Sequence, residues 1–464
     1  MALGSDDVER DPVARLNPLD ASWLLLDTAD TPMHVGALLV FAKPAGAPAN
    51  FIEQLHERLM QCAPAGNPWT LCLQRGLGNP FRAQRLEASE IDLSSHFHRT
   101  LLPAPGGERE LGVLIAALHS RALDLALPPW ECHLIEGLHD GQFALYVKLH
   151  HALMDAAGFL RLLASALSPS PGSPAQAPWS VTGASSRARA GDSITQSLRA
   201  LLGPQVAQLG GAFGRLLNAA RGAGDGLRAP YRAPRSVLNT PIGPQRRFAT
   251  QQYPLARLAR VAGACDLTTD ELLLYLCGSV LRRFFKEYNA LPDEPLLAAV
   301  PAQRADGGEA YGSIGFVSLA THHADPRARL AEVRTSVRAS DAHLNALPDE
   351  LLPAYTLAAT APYLFGQFTG LDRFTPAMFN VTVAPFAGGD EPLYLGDAQL
   401  RAIYPMFPLT QGGALAISAL AYAGTLNIGF CGAHETLPGL QRMAVYMGRA
   451  LEELEALIAS GELP

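Results

Sequence analysis

The sequence predicts a mixed α/β (α+β) protein built as two lobes joined by a long crossover linker. Three observations carry this. Stretches with the period-two alternation of strands and stretches with the spacing of amphipathic helices succeed one another along the chain. Two strand-like runs flank Asp140-Gly141, a dipeptide that suits a tight hairpin turn. The pattern also breaks off near residue 168, where Ser, Pro, Gly and Ala dominate, and resumes after about 240. The division that follows is a first lobe over 1–167, a linker over 168–240 and a second lobe over 241–464.

In the first lobe, VGALLVF (35–41) is an apolar run of strand length. FIEQLHERLMQC (51–62) carries Phe51, Leu55, Leu59 and Cys62 at helical spacing, and ELGVLIAALHSRAL (110–123) reads as a second helix. HLIEGL (133–138) and FALYVKL (143–149) are the strands on either side of the turn. SPSPGSPAQAPWSVTGASS (168–186) reads as a flexible linker. Residues 187–235 then hold eight arginines and two acids, Asp192 and Asp225, with amphipathicity interrupted by glycines. Two readings are open for this segment: a crossover helix packed on the protein, or a basic amphipathic surface resting on anionic lipid. In the second lobe, DELLLYLCGSVLRRFFKEY (270–288) is a strongly apolar helix. PLLAAVPA (295–302), GFVSLATHH (315–323) and FNVTVAP (379–385) look like buried strands. GALAISALAYAGTLNIGF (413–430) is two strands about a turn at Ala423-Gly424-Thr425, and LPGLQRMAVYMGRALEELEAL (437–457) is a closing helix.

Composition narrows the function classes. At 464 residues, 48% hydrophobic and 17% charged, the chain has material for large cores and is far from a disordered composition. A net charge of −7, with no zinc finger or aromatic RNA-reading motif, argues against nucleic-acid binding. Cys62, Cys72, Cys132, Cys265, Cys277 and Cys431 form no Cys-x-x-Cys pair and read as free thiols of a reducing compartment. Residues 1–16 lack the apolar core of a signal peptide, and no apolar run reaches the roughly eighteen residues of a spanning helix. The expected location is cytoplasmic, with peripheral contact to the inner membrane or to lipid inclusions.

The chemistry concentrates in QFALYVKLHHALMDAAG (142–158). Alternation puts Phe143, Leu145, Val147, Leu149 and His151 on one face of a strand, and Gln142, Ala144, Tyr146, Lys148 and His150 on the other. The first row is apolar, so His151 is expected to point inward and His150 to follow the more polar row. A buried imidazole is held neutral by desolvation and can accept a proton near neutral pH. Asp155, four residues past His151, falls in the first turn of a helix beginning after the pair, where a carboxylate is favoured by the helix dipole. On these residues alone, a helix-start acid beside a core histidine is as open a reading as an active site.

The surrounding blocks extend the pattern. The segment resembles the His-His-x-x-x-Asp-Gly motif of coenzyme A-dependent acyltransferases. NPLDASWLLLDTADTPMHVGALLVF (17–41), PPWECHLIEGL (128–138) and PLYLGDAQLRAIYP (392–405) resemble ordered blocks of the bacterial wax ester synthase/diacylglycerol acyltransferase family. The resemblance implies two lobes like chloramphenicol acetyltransferase and condensation domains, with a channel between them. It also implies an acyl-CoA-dependent O-acyltransferase that uses a fatty alcohol or diacylglycerol as acceptor. His151 would be the general base, His150 its partner in the motif, and Asp155 a residue that orients the histidine loop through an arginine. Acyl-CoA would be a co-substrate, with no metal or tightly held cofactor. An acyltransferase for another alcohol or an amine, and a non-catalytic lipid-binding paralogue, are the alternatives. The oligomeric state is not specified.

Four positions depart from the family pattern. Ala156 stands where the motif has glycine; a positive φ there would make alanine cost about 1–2 kcal/mol. Pro385, Asp270 and Ala416 stand where asparagines are expected. Thr382, Ser418 or a backbone amide are the candidates for stabilising the oxyanion.

Overall fold

The structure is a computed structural model that describes residues 14–16, 18–74, 82–183, 206–222, 225–303, 309–371 and 375–463. Its frame is two six-stranded mixed sheets. The first runs β12-β13-β2-β7-β6-β5, from β2 (His34–Ala42), β5 (Phe97–Leu101), β6 (Trp130–Glu136), β7 (Gln142–His150), β12 (Tyr394–Leu395) and β13 (Ala398–Met406). The second runs β10-β9-β11-β14-β15-β8, from β8 (Arg246–Pro254), β9 (Leu297–Gln303), β10 (Glu309–Ser318), β11 (Val381–Ala387), β14 (Leu415–Tyr422) and β15 (Thr425–Ala433). β1 (Ala14–Arg15), β3 (Leu71–Gln74) and β4 (Arg82–Arg85) make a small third sheet.

The two hairpins anticipated from sequence are formed. Asp140 and Gly141 have φ of 55° and 66°, and Ala423 and Gly424 have 44° and 77°. Paired positive φ values of this kind match the right-handed twist of flanking strands. GFVSLATHH is strand only as far as Ser318: Ala320 has φ of 49°, which turns the chain off the sheet edge.

Helices cover both faces of the first sheet. On one face Phe143, Leu145, Val147 and Leu149 pack with Phe51, Leu55 and Leu59 of α2 (Phe51–Met60) and with Phe159 and Leu163 of α4 (Ala156–Ser165). On the other, Ala144 and Tyr146 pack with Ile115 and Leu118 of α3 (Glu108–Ser120) and with Phe248 of β8. The more polar row is therefore enclosed as well: Lys148 is 0% and His150 1% exposed. Alternation identified the two faces correctly but could not show that α3 and the second lobe would close over one of them.

Enclosure makes the polar row a network. Lys148 Nζ donates to the carbonyls of Leu118 (3.1 Å) and Arg121 (2.8 Å) and pairs with Glu131 at 3.0 Å, directly across the β6–β7 ladder. His34 Nε2–H donates to the His119 carbonyl at 3.0 Å, and His119 Nδ1 meets the Tyr146 hydroxyl at 2.8 Å. Burial, reinforced by Arg246 and Lys148, pulls the His119 imidazole down to about 3, so it stays neutral.

In the second lobe, α6 (Leu255–Ala264), α7 (Thr269–Glu287) and α10 (Gln441–Ala459) pack on one sheet face. A reciprocal capping box starts α7: Thr268 Oγ1 accepts from Glu271 N and Glu271 Oε2 accepts from Thr268 N. Gly278 is needed within α7 because a Cβ there would lie 2.2 Å from the Leu319 carbonyl oxygen.

Two features differ from the linear division of the chain. β12 and β13 come from the second half of the sequence yet complete the first sheet, with β13 antiparallel to β2. The described part of the 187–235 segment contains a helix, α5 (Val206–Ala220), whose Leu209, Ala212 and Leu216 pack on Leu344, Leu347, Leu351 and Tyr355 of the second lobe. Phe213 lies against Tyr355, Arg215 Nε donates to His343 Nδ1 at 3.2 Å, and Arg228 pairs with Glu332 at 2.8 Å. The described leucines, other than exposed Leu217, are thus core rather than lipid contacts, because α8 (Pro326–Asn345) and α9 (Leu352–Thr369) supply an apolar seat for them. Ile194 and Arg199 lie outside the described residues.

Candidate active site

β7 ends at His150, and His151 is the first residue of the turn that follows. The His151 amide donates to the Met33 carbonyl at 2.8 Å, which ties the turn to the start of β2. Its imidazole, 4% exposed, stacks on the Trp23 indole from α1 (Pro18–Leu26), with centroids 3.9 Å apart and planes at 23°. Phe407 meets it edge-on at 5.7 Å. Two aromatic rings, one stacked and one edge-on, therefore bracket the imidazole, which lines a cavity.

His150 has a different post. Its Nδ1 accepts from the Ala152 amide at 3.1 Å, which leaves the proton of a neutral ring on Nε2. That nitrogen lies 3.9 Å from Asp27 Oδ2, while Asp27 Oδ1 accepts from the Met33 amide at 2.9 Å. Met33 is thus held at its amide by Asp27 and holds His151 through its carbonyl. His150 and Asp27 support the turn that presents His151.

Asp155 is the N-cap of α4. Its Oδ1 accepts from the Gly158 amide at 2.7 Å, one residue ahead of the first-turn position expected from sequence. Asp155→Ala is expected to cost about 1 kcal/mol through loss of the cap, and to lower activity by loosening the turn. Asp155→Asn, an equally good cap, should keep most of the stability. Thermal melts of both variants beside turnover check this; an inactive Asp155→Ala with an unchanged melting temperature would assign the carboxylate to the chemistry.

Ala156 is α-helical and carries no positive φ, so the cost anticipated for alanine at that position does not arise. Asp270 is exposed in the first turn of α7 and does not line the cavity. Ala416 is buried among Ile242, Leu409 and Cys431, where a methyl group suits the packing better than an amide. Of the oxyanion candidates, Thr382 on β11 lines the cavity, whereas Ser418 on β14 is 1% exposed and is not among its lining residues.

The cavity, about 240 Å³, lies between the lobes. The first lobe contributes Trp23, Leu26, His151, Asp155, Ala156 and Ala157; the second contributes Ala299, Ile314, Thr360, Leu364, Met378 and Phe386, with Phe407 between them. The wall is mainly apolar, with a few hydroxyls from Ser313, Thr356, Thr382 and Thr410. Trp23, Asp27 and Phe407 were missed as site residues. Trp23 and Asp27 fall inside the NPLDASWLLLDTADTPMHVGALLVF block, but only the folded geometry shows what they touch.

Two mixed sheets, a histidine just past a strand end and a cavity between lobes define the class, the two-lobed coenzyme A-dependent acyltransferase and condensation-domain fold. The first condensation domain of the calcium-dependent antibiotic synthetase shares it at 14% identity and a TM-score of 0.58, covering 97% of each chain. The wax ester synthase/diacylglycerol acyltransferase from Marinobacter aquaeolei VT8 is 31% identical with a TM-score of 0.76, over 96% of this chain and 100% of that one. Residues 16–272 match the wax ester synthase/diacylglycerol acyltransferase catalytic domain, and 311–455 match the C-terminal domain of the same enzymes. A provisionally named diacylglycerol O-acyltransferase of Mycobacterium tuberculosis (strain ATCC 25618 / H37Rv) is 38% identical over 95% of this chain and 97% of its own. The chain belongs to the wax ester synthase/diacylglycerol acyltransferase family.

Proposed function

We propose that the protein transfers a long-chain acyl group from acyl-CoA to a fatty alcohol or diacylglycerol, with His151 as general base. The protein is an acyl-CoA-dependent O-acyltransferase. The observation that carries the proposed role is the His151 imidazole, held between Trp23 and Phe407 at the wall of an apolar cavity. In this reading His151 takes the proton of the acceptor hydroxyl as its oxygen attacks the thioester carbonyl. The tetrahedral intermediate collapses, the C–S bond breaks, and the proton passes to the coenzyme A thiolate. Of the oxyanion candidates named from the sequence, the Thr382 hydroxyl lines the cavity, and in this reading it donates to the developing oxyanion. The test is thiol release from palmitoyl-CoA by purified protein with a panel of acceptors: hexadecanol, diacylglycerol, a short alcohol and an amine. Release with hexadecanol or diacylglycerol is the expected result. Release with the short alcohol or amine alone would reassign the acceptor, and no release with any would overturn the catalytic reading.

Such substrates are concentrated in bilayers and lipid inclusions, and peripheral association is part of the proposal. No helix among the described residues is long and apolar enough to cross a membrane. The support lies on α9. Thr360 and Leu364 line the cavity, and Phe368 continues the same i, i+4 row one turn further, 47% exposed. Phe365 and Leu371 are exposed beside it. An apolar rim on a helix that also walls the cavity suits transfer of a lipid from a surface to the site. Phe365→Ser/Phe368→Ser is expected to reduce co-flotation with phospholipid vesicles while leaving the melting temperature unchanged. Undiminished flotation of this variant would remove the rim as the contact.

A further inference from the structure

A second pair of adjacent histidines, His322 and His323, follows β10 far along the sequence from the first. Ala320, at φ of 49°, turns the chain so that both rings project toward Glu332 on α8. His323 Nε2 lies 2.9 Å from Glu332 Oε2, and His322 Nε2 lies 3.6 Å from the same oxygen. The two rings are 3.9 Å apart, tilted by 37°. One ligand atom from each residue falls within 4.8 Å of the others, the sole such grouping of His, Cys, Asp and Glu among the described residues. A tetrahedral ion with bonds of about 2.0–2.2 Å spaces its ligand atoms roughly 3.3–3.6 Å apart. The separations of 2.9 and 3.6 Å from Glu332 Oε2 to the two imidazole nitrogens bracket that range.

The surroundings hold the groups in place. The other carboxylate oxygen, Glu332 Oε1, accepts from Ser318 Oγ at 2.6 Å and from Arg228 at 2.8 Å, so Oε2 is the one turned to the imidazoles. Arg282 donates to the His322 carbonyl at 3.2 Å, and Arg329 donates to that of His323 at 3.1 Å. A carboxylate and a loop fixed from behind are the supporting arrangement that orients metal ligands. The nearby guanidinium groups, Arg228, Arg282 and Arg329, oppose a cation in general. They are directed at carboxylate and carbonyl oxygens rather than at the imidazole nitrogens. Two nitrogens and one oxygen in a positive setting disfavour calcium or magnesium, which need several oxygens, and favour an ion with strong affinity for imidazole.

We propose that His322, His323 and Glu332 form a binding site for one divalent transition metal ion, with zinc as the best fit. Three protein ligands leave a fourth position for water or another donor. The ion would fasten the loop after β10 to α8 and, through Arg228 on Glu332, to the crossover segment. It lies apart from the acyl-transfer cavity, none of whose lining residues it uses.

The test uses the full chain, stripped with chelator and titrated with Zn(II) by calorimetry and with Co(II) by visible absorption. The expected result is one ion per chain, a cobalt spectrum with the intense bands of low coordination number, and a rise in melting temperature on zinc addition. His322→Ala and His323→Ala should each weaken zinc binding by about tenfold or more and abolish the thermal shift, with acyl transfer retained. Glu332→Gln disturbs Arg228 and Ser318 as well, so the histidine variants carry the test. Zinc binding as tight in the His322→Ala/His323→Ala double variant as in the unaltered chain would overturn the proposal. So would the absence of any saturable binding.

Discussion

His151→Ala is expected to lower turnover about 10²–10⁴-fold in a protein that melts close to the unaltered temperature. The imidazole stacks on Trp23 and abuts Phe407, and its removal leaves a gap at the cavity wall. His150→Ala is expected to behave in the opposite way. The Ala152 amide loses its acceptor at Nδ1 inside a buried turn, a loss worth about 1–3 kcal/mol. Activity should fall with it only so far as the turn loosens. The measurement is kcat/KM beside a melting curve for each variant. Equal residual activity in two folded variants would defeat the division of roles, and a His151→Ala enzyme with near-normal turnover would remove the general base from the mechanism.

The second large effect concerns stability. Glu131→Ala is expected to cost about 3–5 kcal/mol, the usual result of leaving one member of a buried ion pair alone. Lys148 is 0% exposed and, among the described residues, Glu131 is its anionic partner at 3.0 Å; two further ammonium bonds go to carbonyls. The two partners respond differently to the pairing. Burial alone would raise the Glu131 carboxyl, but the His133 hydrogen bond and the charge and hydrogen bond of Lys148 outweigh it and bring it to about 2. Lys148 is lowered, because its burial outweighs the attraction of Glu131. The glutamate keeps some contact with water and gains from the pair; the lysine has none and bears the desolvation. Lys148→Met should therefore be milder than Glu131→Ala, and the double variant should recover much of the single loss. The pH dependence has a definite sign. A carboxylate lowered in the fold contributes stability that is complete above its unfolded value of 4.5 and is lost as pH falls toward about 2. Denaturant titrations of the three variants at neutral pH and across pH 2–5 check both statements. An acid slope unchanged in Glu131→Ala would show that other carboxylates control acid unfolding.

Much of this arrangement was legible in the sequence, and the limits have physical causes. Strict alternation in 142–150 identified the rows that face the two cores, because a period of two leaves no other assignment. The hairpins at Asp140-Gly141 and Ala423-Gly424 were readable from turn chemistry. The His151, His150 and Asp155 set was readable as a motif, and the comparisons establish the family. What alternation cannot carry is the fate of a face once other elements arrive. Lys148 and His150 read as a polar row, and only the packing of α3 and Phe248 shows that row to be interior. Basic composition in 187–235 likewise could not reveal that Leu209 and Leu216 had a protein surface to cover. Trp23, Asp27 and Phe407 come to His151 and His150 from distant parts of the chain, so no local pattern announces them.

The insertion of β13 beside β2 has a consequence for recombining family members. A chimera that joins the first half of one enzyme to the second half of another would be drawn naturally at the linker. Such a junction would set strands of different parentage against each other along the seven matched positions from Gly36↔Met406 to Ala42↔Gln399. Phe407, one residue beyond the end of β13, would then meet a foreign His151. A compatible exchange module is therefore discontinuous: residues 394–407 must travel with the first half, although they lie more than 150 residues past the linker. Shuffling that respects this pairing should yield folded hybrids, and shuffling at the linker alone should yield mostly insoluble ones.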